Sequence, residues 1–363
     1  MNVKRWNVEL EGMSDFNRSM DRVEAWLNGD IIDRAPVRFT LHNAAFNEKR
    51  SSKLSQEQTR AKWFDAESVV DAFLSSIKDK PILGDTFPVF MPNLGPGVFA
   101  AFFGCELEFD ELTSWTKPMS LSLKELSTIK PDKNNIYYQK ILELTNCAIE
   151  KGRGKCMVGY TDLHPGLDCV ADWRGSQQLC YDMYDDPDGV EAAVRNTEKW
   201  FTEIYDEFDD LLKQNGHLSA TWMGIPSFGK MHVPSCDFSN MISPEQFDRF
   251  CLPYAIQECA HMTHNIWHLD GVGCMRHLDA LLATEQIHAI QWVQGIGKDE
   301  PMLQWVPLIK KIVENRKSVV LNIHHYELDD FMDAISPDRL FICVDAVSYQ
   351  DQSDILRAFN KWK

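Results

Sequence analysis

Asn265-Ile266-Trp267-His268-Leu269-Asp270-Gly271 is a short apolar run that ends in a histidine and an aspartate. Alternate side chains of a β-strand share a face, so His268 and Asp270 point the same way at the strand's carboxyl end. The Gly271-Val272-Gly273 turn follows at once. An imidazole and a carboxylate so placed can grip a metal ion, act as an acid/base couple or hydrogen-bond a polar substrate.

Outward from this stretch the pattern recurs. Eight β-rich runs stand out: Val37–Leu41, Thr86–Phe90, Lys155–Thr161, Leu218–Met223, Asn265–Leu269, Ala289–Val293, Ser318–Ile323 and Leu340–Val344. Between most of them apolar residues fall at three- and four-residue spacing, as in Ile136–Ile149 and Val190–Leu212, which predicts helices. Ser243-Pro244-Glu245 reads as an N-cap with proline in the first turn, and Ser336-Pro337 as another turn or cap. Strands alternating with helices imply a parallel sheet, and eight repeats predict an α/β chain closed as a (β/α)8 TIM barrel, one domain over residues 1–363. An open doubly wound sheet is the competing reading, and no Gly-x-Gly-x-x-Gly follows an early strand to support a nucleotide-binding version of it. The amphipathic stretch Phe16–Leu27 is an N-terminal helical extension expected to plug the barrel bottom or cap one side. The Pro-, Gly- and aromatic-rich segment Gly84–Asp132, with Phe99, Phe102 and Phe103, is expected to form a folded excursion over the barrel mouth after strand two.

Composition narrows the partners. The 363 residues are 44% hydrophobic and 25% charged, ordinary for a globular protein with a real core. A net charge of -17, with scattered basic residues, argues against nucleic acid or an anionic membrane as the main partner. No run approaches the roughly 18 apolar residues of a membrane span, and Met1–Asn7 lacks the apolar core of a signal peptide. Ten cysteines without a CxxC pair are expected to be reduced, and most of them buried as small apolar groups. The protein is therefore expected in the cytoplasm, acting on a small molecule, with a homodimer as the common default.

In a parallel barrel the carboxyl ends of all strands converge, so the polar residues found there are the candidates for chemistry. Any one of them alone is more often a cap or a loop hydrogen-bond partner. Their convergence argues for a site. His268, Asp270 and Asp162 are the expected catalytic groups. Cys343 is expected to join His268 and Asp270 as a soft metal ligand, because strands five and eight face one another across a barrel. His42, Asn43, His164, Arg174, Trp222, Asp237, Gln291, Trp292 and His324 are the expected substrate contacts. Of the pair His324-His325, only one can enter the barrel, and His324 shares the face of Asn322.

Several stretches resemble the uroporphyrinogen decarboxylase superfamily over most of the chain, closest to its decarboxylase-like branch. They are Asp162-Leu163-His164-Pro165-Gly166-Leu167-Asp168, Cys236-Asp237-Phe238-Ser239, Ile242-Ser243-Pro244-Glu245-Gln246-Phe247, Trp267-His268-Leu269-Asp270-Gly271, His277-Leu278-Asp279-Ala280-Leu281-Leu282 and Ile290-Gln291-Trp292-Val293-Gln294-Gly295. The resemblance implies a distorted (β/α)8 barrel with its site in a cleft at the strands' carboxyl ends. It also implies one of two chemistries. The true decarboxylases use no metal and hold the porphyrinogen carboxylates with an arginine-rich loop after the first strand. Here that place reads Arg38-Phe39-Thr40-Leu41-His42-Asn43-Ala44-Ala45-Phe46, and no further arginine follows until Arg50. The other members pass methyl groups between corrinoid proteins and thiols, at a zinc held by His-x-Cys and a distant Cys. By that resemblance His268 matches the histidine, Asp270 stands where the first cysteine would be, and Cys343 matches the second. Aspartate in place of cysteine keeps an anionic ligand but hardens the site.

The first expectation is thus an enzyme of zinc-assisted methyl transfer, with a corrinoid carried by a partner protein that docks on the aromatic excursion. A metal-free carboxy-lyase, in which His268 or Asp162 protonates a carbanion, is the alternative. A noncatalytic ligand-binding barrel is the third reading.

Overall fold

Alternation of side chains between two faces is what builds the sheet. In the computed structural model, which describes residues 3–40, 54–80, 82–295, 301–345 and 348–362, the strands are β1 (Val37–Phe39), β2 (Val89–Phe90), β3 (Glu106–Phe109), β4 (Ser114–Lys117), β5 (Met157–Val158), β6 (Met231–His232), β7 (His264–Asp270), β8 (Ala289–Val293), β9 (Ser318–His324) and β10 (Leu340–Asp345). Six of them form one curled parallel sheet in the order β1-β10-β9-β8-β7-β6. A second parallel pair joins β2 to β5, and β3 with β4 makes an antiparallel hairpin.

The expected eight-stranded ring is not a continuous ladder. Between β1 and the stretch leading into β2, the contacts are single hydrogen bonds: Asp85 N donates to Val37 O (2.6 Å) and Phe39 N to Thr86 Oγ1 (2.9 Å). Beyond β5, Tyr160 N donates to Ala220 O (3.1 Å). Leu218–Met223, expected as strand four, is not a strand; within it only Ser219 makes an isolated bridge, to Ser227. The sheet neighbour of β7 is instead β6, a two-residue strand cut short by Pro234.

Along β7 to β10 each inward face changes character partway. Ile266, Ala289, Val320 and Phe341 belong to an inner apolar cluster near the strands' amino ends. One or two pairs of residues further on, the same faces carry His268 and Asp270, Gln291, Asn322 and His324, and Asp345. The amino end is closed by the helix Phe16–Leu27, whose Phe16, Met20, Val23, Trp26 and Leu27 are buried in that inner cluster. Its indole Trp26 Nε1 donates to Arg339 O (2.9 Å), Ser318 Oγ donates to Trp26 O (2.6 Å), and its ring meets Phe341 at 5.3 Å. Burying each such large apolar side chain contributes about 1.5–3 kcal/mol, so this floor is a major part of the core.

The outward faces pack beneath helices in a larger cluster that includes the long helices Ile136–Lys151 and Pro187–Gln214. Phe99, Phe102 and Phe103 lie there, against Phe201, Tyr138 and Trp173 respectively, and are buried. This corrects the expectation that they form a lid: the aromatics of the excursion face the core, leaving none of the three for docking. All ten cysteines are unpaired thiols. Among the described residues, no helix is long and apolar enough to cross a membrane.

Candidate functional site

Where the inward faces turn polar, a cavity of about 840 Å³ opens at the carboxyl ends. Arg38 of β1, Val293 of β8, Asn322 and His324 of β9, and Cys343 and Asp345 of β10 line it, together with Trp222. His324 Nδ1 pairs with Asp345 Oδ2 at 2.8 Å, and its ring stacks on Tyr326. Trp222 also meets the His268 ring edge-on at 5.2 Å, which links the cavity to a second, more polar group on β7.

That group is Asp237, His268 and Asp270, each offering a ligand atom within 4.8 Å of the others. Register explains it. Ser235 bridges His268 in parallel, and His268 N donates to Pro234 O (2.9 Å), so the chain after β6 continues alongside β7 and carries Asp237 level with Asp270. Gly271 follows with φ +85°, a conformation that turns the chain away as soon as the carboxylate is placed. His268 Nδ1 lies 2.6 Å from Gln291 Oε1, its register partner on β8. Donation from Nδ1 to that oxygen fixes the tautomer and leaves Nε2 with its lone pair free. Burial holds the His268 imidazole below its ordinary value, against the opposing pull of Gln291 and Asp270, so the ring is neutral near pH 7. Asp270 Oδ1 is buried without a hydrogen-bond partner among the described residues.

A cationic histidine stands beside this group. His164 is held between Asp162 (Nε2 to Oδ1, 2.7 Å) and Ser235 (Nδ1 to Oγ, 2.9 Å). Burial opposes its charge, but Asp162 first, then Asp168 and Asp237, outweigh it and raise His164 to about 10. Although the Asp237 side chain reaches solvent, desolvation by the chain packed around it and then Asp168 push its carboxyl up to about 7 against the pull of His164. Asp168, in the first turn of the helix Gly166–Arg174, accepts from Asp237 N (3.0 Å), Phe238 N (2.9 Å) and Ser235 Oγ (3.2 Å). It thereby pins the segment that carries Asp237.

The candidates drawn from the sequence therefore separate. Asp162, His164, Asp237, His268, Asp270 and Gln291 come together, and Trp222 and His324 line the adjoining cavity. Cys343 lies outside the ligand group, because β9 and β8 stand between β10 and β7; its thiol instead accepts from Arg38 Nε at 2.9 Å. Trp292, expected on the pocket wall, is fully buried on the opposite face of β8 against Trp305. Arg174, expected to hold a substrate carboxylate, is taken by Asp182 at 2.6 and 3.0 Å. His42 and Asn43 lie outside the described residues. Asp168 and Ser235 join the site without being among the residues the sequence points to. Their signal was proximity: Asp168 closes the same polar loop as Asp162, and Ser235 precedes Asp237 by two.

No family model matches the chain, and no curated protein matches its sequence. Solved structures do match. A methyltransferase from Methanosarcina mazei superposes with a TM-score of 0.58 over 94% of this chain and 98% of its own, at 11% identity. At that identity the likeness is one of fold.

Proposed function

We propose that the chain is a metal-dependent methyltransferase of the uroporphyrinogen decarboxylase type, a single barrel-like domain that moves a methyl group between a small substrate and a thiol or a corrinoid carried by a partner protein. The observation that carries this reading is the Asp237, His268, Asp270 group, joined to a cavity through Trp222, in a fold shared with a methyltransferase.

The donor set fits a divalent metal. One imidazole and two carboxylates give three protein ligands, with a further position left for substrate. Asp270 Oδ1, buried and unpartnered, is an acceptor that lacks a donor, and an unsatisfied buried oxygen is costly without one. Asp237, His268 and Asp270 would hold the ion, for which we propose zinc. When bound, zinc lowers the pKa of a coordinated thiol or water and so supplies a nucleophile at neutral pH. The chain's own residues do the rest. Gln291 orients His268, Asp168 fixes the segment bearing Asp237, the His164 cation offsets part of the carboxylate charge, and Trp222 forms an apolar wall between metal group and cavity.

Metal analysis of freshly purified protein tests this. About one zinc per chain is expected, as a catalytic site requires, lost in His268→Ala and in Asp237→Ala while the circular dichroism spectrum stays unchanged. Methyl transfer from methylcobalamin to a thiol should disappear in the same variants. A wild-type chain that takes up no divalent metal sinks the reading. Metal-free decarboxylation has one specific support, a carboxyl at about 7 on Asp237 that can hand a proton to a carbanion. Carbon dioxide release from small acids by metal-free protein would favour it instead.

A further inference from the structure

Three arginines drawn into this fold meet carboxylates. Arg34 and Arg22 reach Asp85, Arg22 also holds Asp33, and Arg174 holds Asp182. Arg38 does not. It is half-buried, faces inward from the centre of β1, and lines the cavity, yet among the described residues it forms no ion pair. Its Nε donates to Cys343 Sγ and its Nη1 to Met223 O. Both partners are neutral groups, since burial pushes the Cys343 thiol up despite the pull of Arg38. Taking a guanidinium partly out of water without an anion costs free energy that these two neutral acceptors only partly return.

The backbone makes room for it. Gly224 has φ +63°, and a Cβ there would stand 3.0 Å from Arg38 Nη1. Nη2 and one N–H of Nη1 have no partner among the described residues, and free N–H groups of a guanidinium can take a single carboxylate in two parallel hydrogen bonds. A dianion fits less well, because Asp345 and Glu327 line the same cavity and like charges repel it. Asn322, also on the cavity wall, adds a neutral amide.

We infer that the cavity takes a small substrate bearing one carboxylate, received by Arg38 where the apolar floor meets the cavity, with the rest of the molecule reaching past Trp222 toward Asp237, His268 and Asp270. This rests on the proposal that the cavity is the substrate site. Arg38 then sets specificity: it selects a monoanion and fixes which end of the molecule faces the metal group.

The test is calorimetric titration of the full chain, with and without a chelator, using butyrate, butyramide and inorganic phosphate. Butyrate is expected to bind in both conditions. It should bind about tenfold or more tighter than butyramide, the worth of one charge-assisted pair, and tighter than phosphate. Arg38→Gln should erase the preference for butyrate over butyramide, and Arg38→Lys, which keeps the charge but not the fork, should keep part of it. Equal binding of butyrate and butyramide by the wild type overturns the inference, as does phosphate outcompeting butyrate. Loss of butyrate binding on chelation overturns it too, since the carboxylate would then sit on the metal. A chain that holds no metal but keeps the Arg38-dependent preference would remove the methyltransferase proposal and leave this one standing.

Discussion

The two ends of β7 to β10 are built from the same strands and differ in almost everything else. At the amino ends the inward faces carry Ile266, Ala289, Val320 and Phe341, sealed by Phe16–Leu27. At the carboxyl ends the same faces carry His268, Asp270, Gln291, Asn322 and Asp345 and stand beside a cavity. Histidines state the contrast as charge. His217 and His264, on the amino-end side, are neutral and lowered to about 4, His217 by burial alone and His264 by burial and then His288. His164 at the mouth is equally enclosed but raised to about 10, because three carboxylates outweigh the burial. Enclosure by itself does not decide the charge of a histidine. What it is enclosed with does. Stability is concentrated at one end, and the other is free to hold groups that oppose one another.

That division can be broken most forcefully at Asp85. Its fully buried carboxylate receives Arg34 Nη1 (2.6 Å), Arg22 Nη1 (3.1 Å) and Val37 N (3.0 Å) at the start of β1. Asp85→Ala strands a buried guanidinium and should cost about 3–5 kcal/mol in urea unfolding. Metal bound per folded chain should not change; if it falls, the two ends are not independent.

Acid sharpens the contrast next. For His217 and His264 the folded values lie below the unfolded one, so the unfolded chain binds more protons between about 4 and 6.5. Their contribution is complete above pH 6.5 and is lost as pH falls, by about 2 kcal/mol per histidine at pH 5. Replacing His264 with Gln should halve that loss; an unchanged acid limb would show that these rings are not what titrates. His164 has the opposite sign. Its contribution is complete below pH 6.5 and is lost as pH rises through about 10. In metal-free protein His164→Gln should therefore flatten the alkaline side of the stability profile and leave the acid contribution of His217 and His264 in place. The smallest effect is expected from Ser235→Ala, which removes one hydroxyl between His164 and Asp168 and should cost about 1 kcal/mol while weakening metal affinity.

Much of the scaffold was legible because its pattern is local. β8 occupies Ala289–Val293, and Phe16–Leu27 is a helix, as alternation and helical spacing predict. β6 was hidden, since two residues before Val233-Pro234 carry no periodicity to read. Pairing His268 with Asp270 needed only strand parity, and parity would also have separated the neighbours Gln291 and Trp292, which cannot share a face. Cys343 and Asp237 needed more. Which of them approaches His268 depends on how many strands intervene and on where a loop runs after a short strand. Neither is written in the spacing of residues along one strand.

The seal on the amino end carries a consequence for synthesis. Trp26 is held by Ser318 and Arg339, close to 300 residues downstream, so the first helix must wait for almost the whole chain before its ring is docked. Until β10 leaves the ribosome, Met20, Val23 and Trp26 remain a sticky surface without their final cover. Such long-range closure slows folding. Slowing translation late in the message should therefore increase the need for chaperones more than an equal pause placed early.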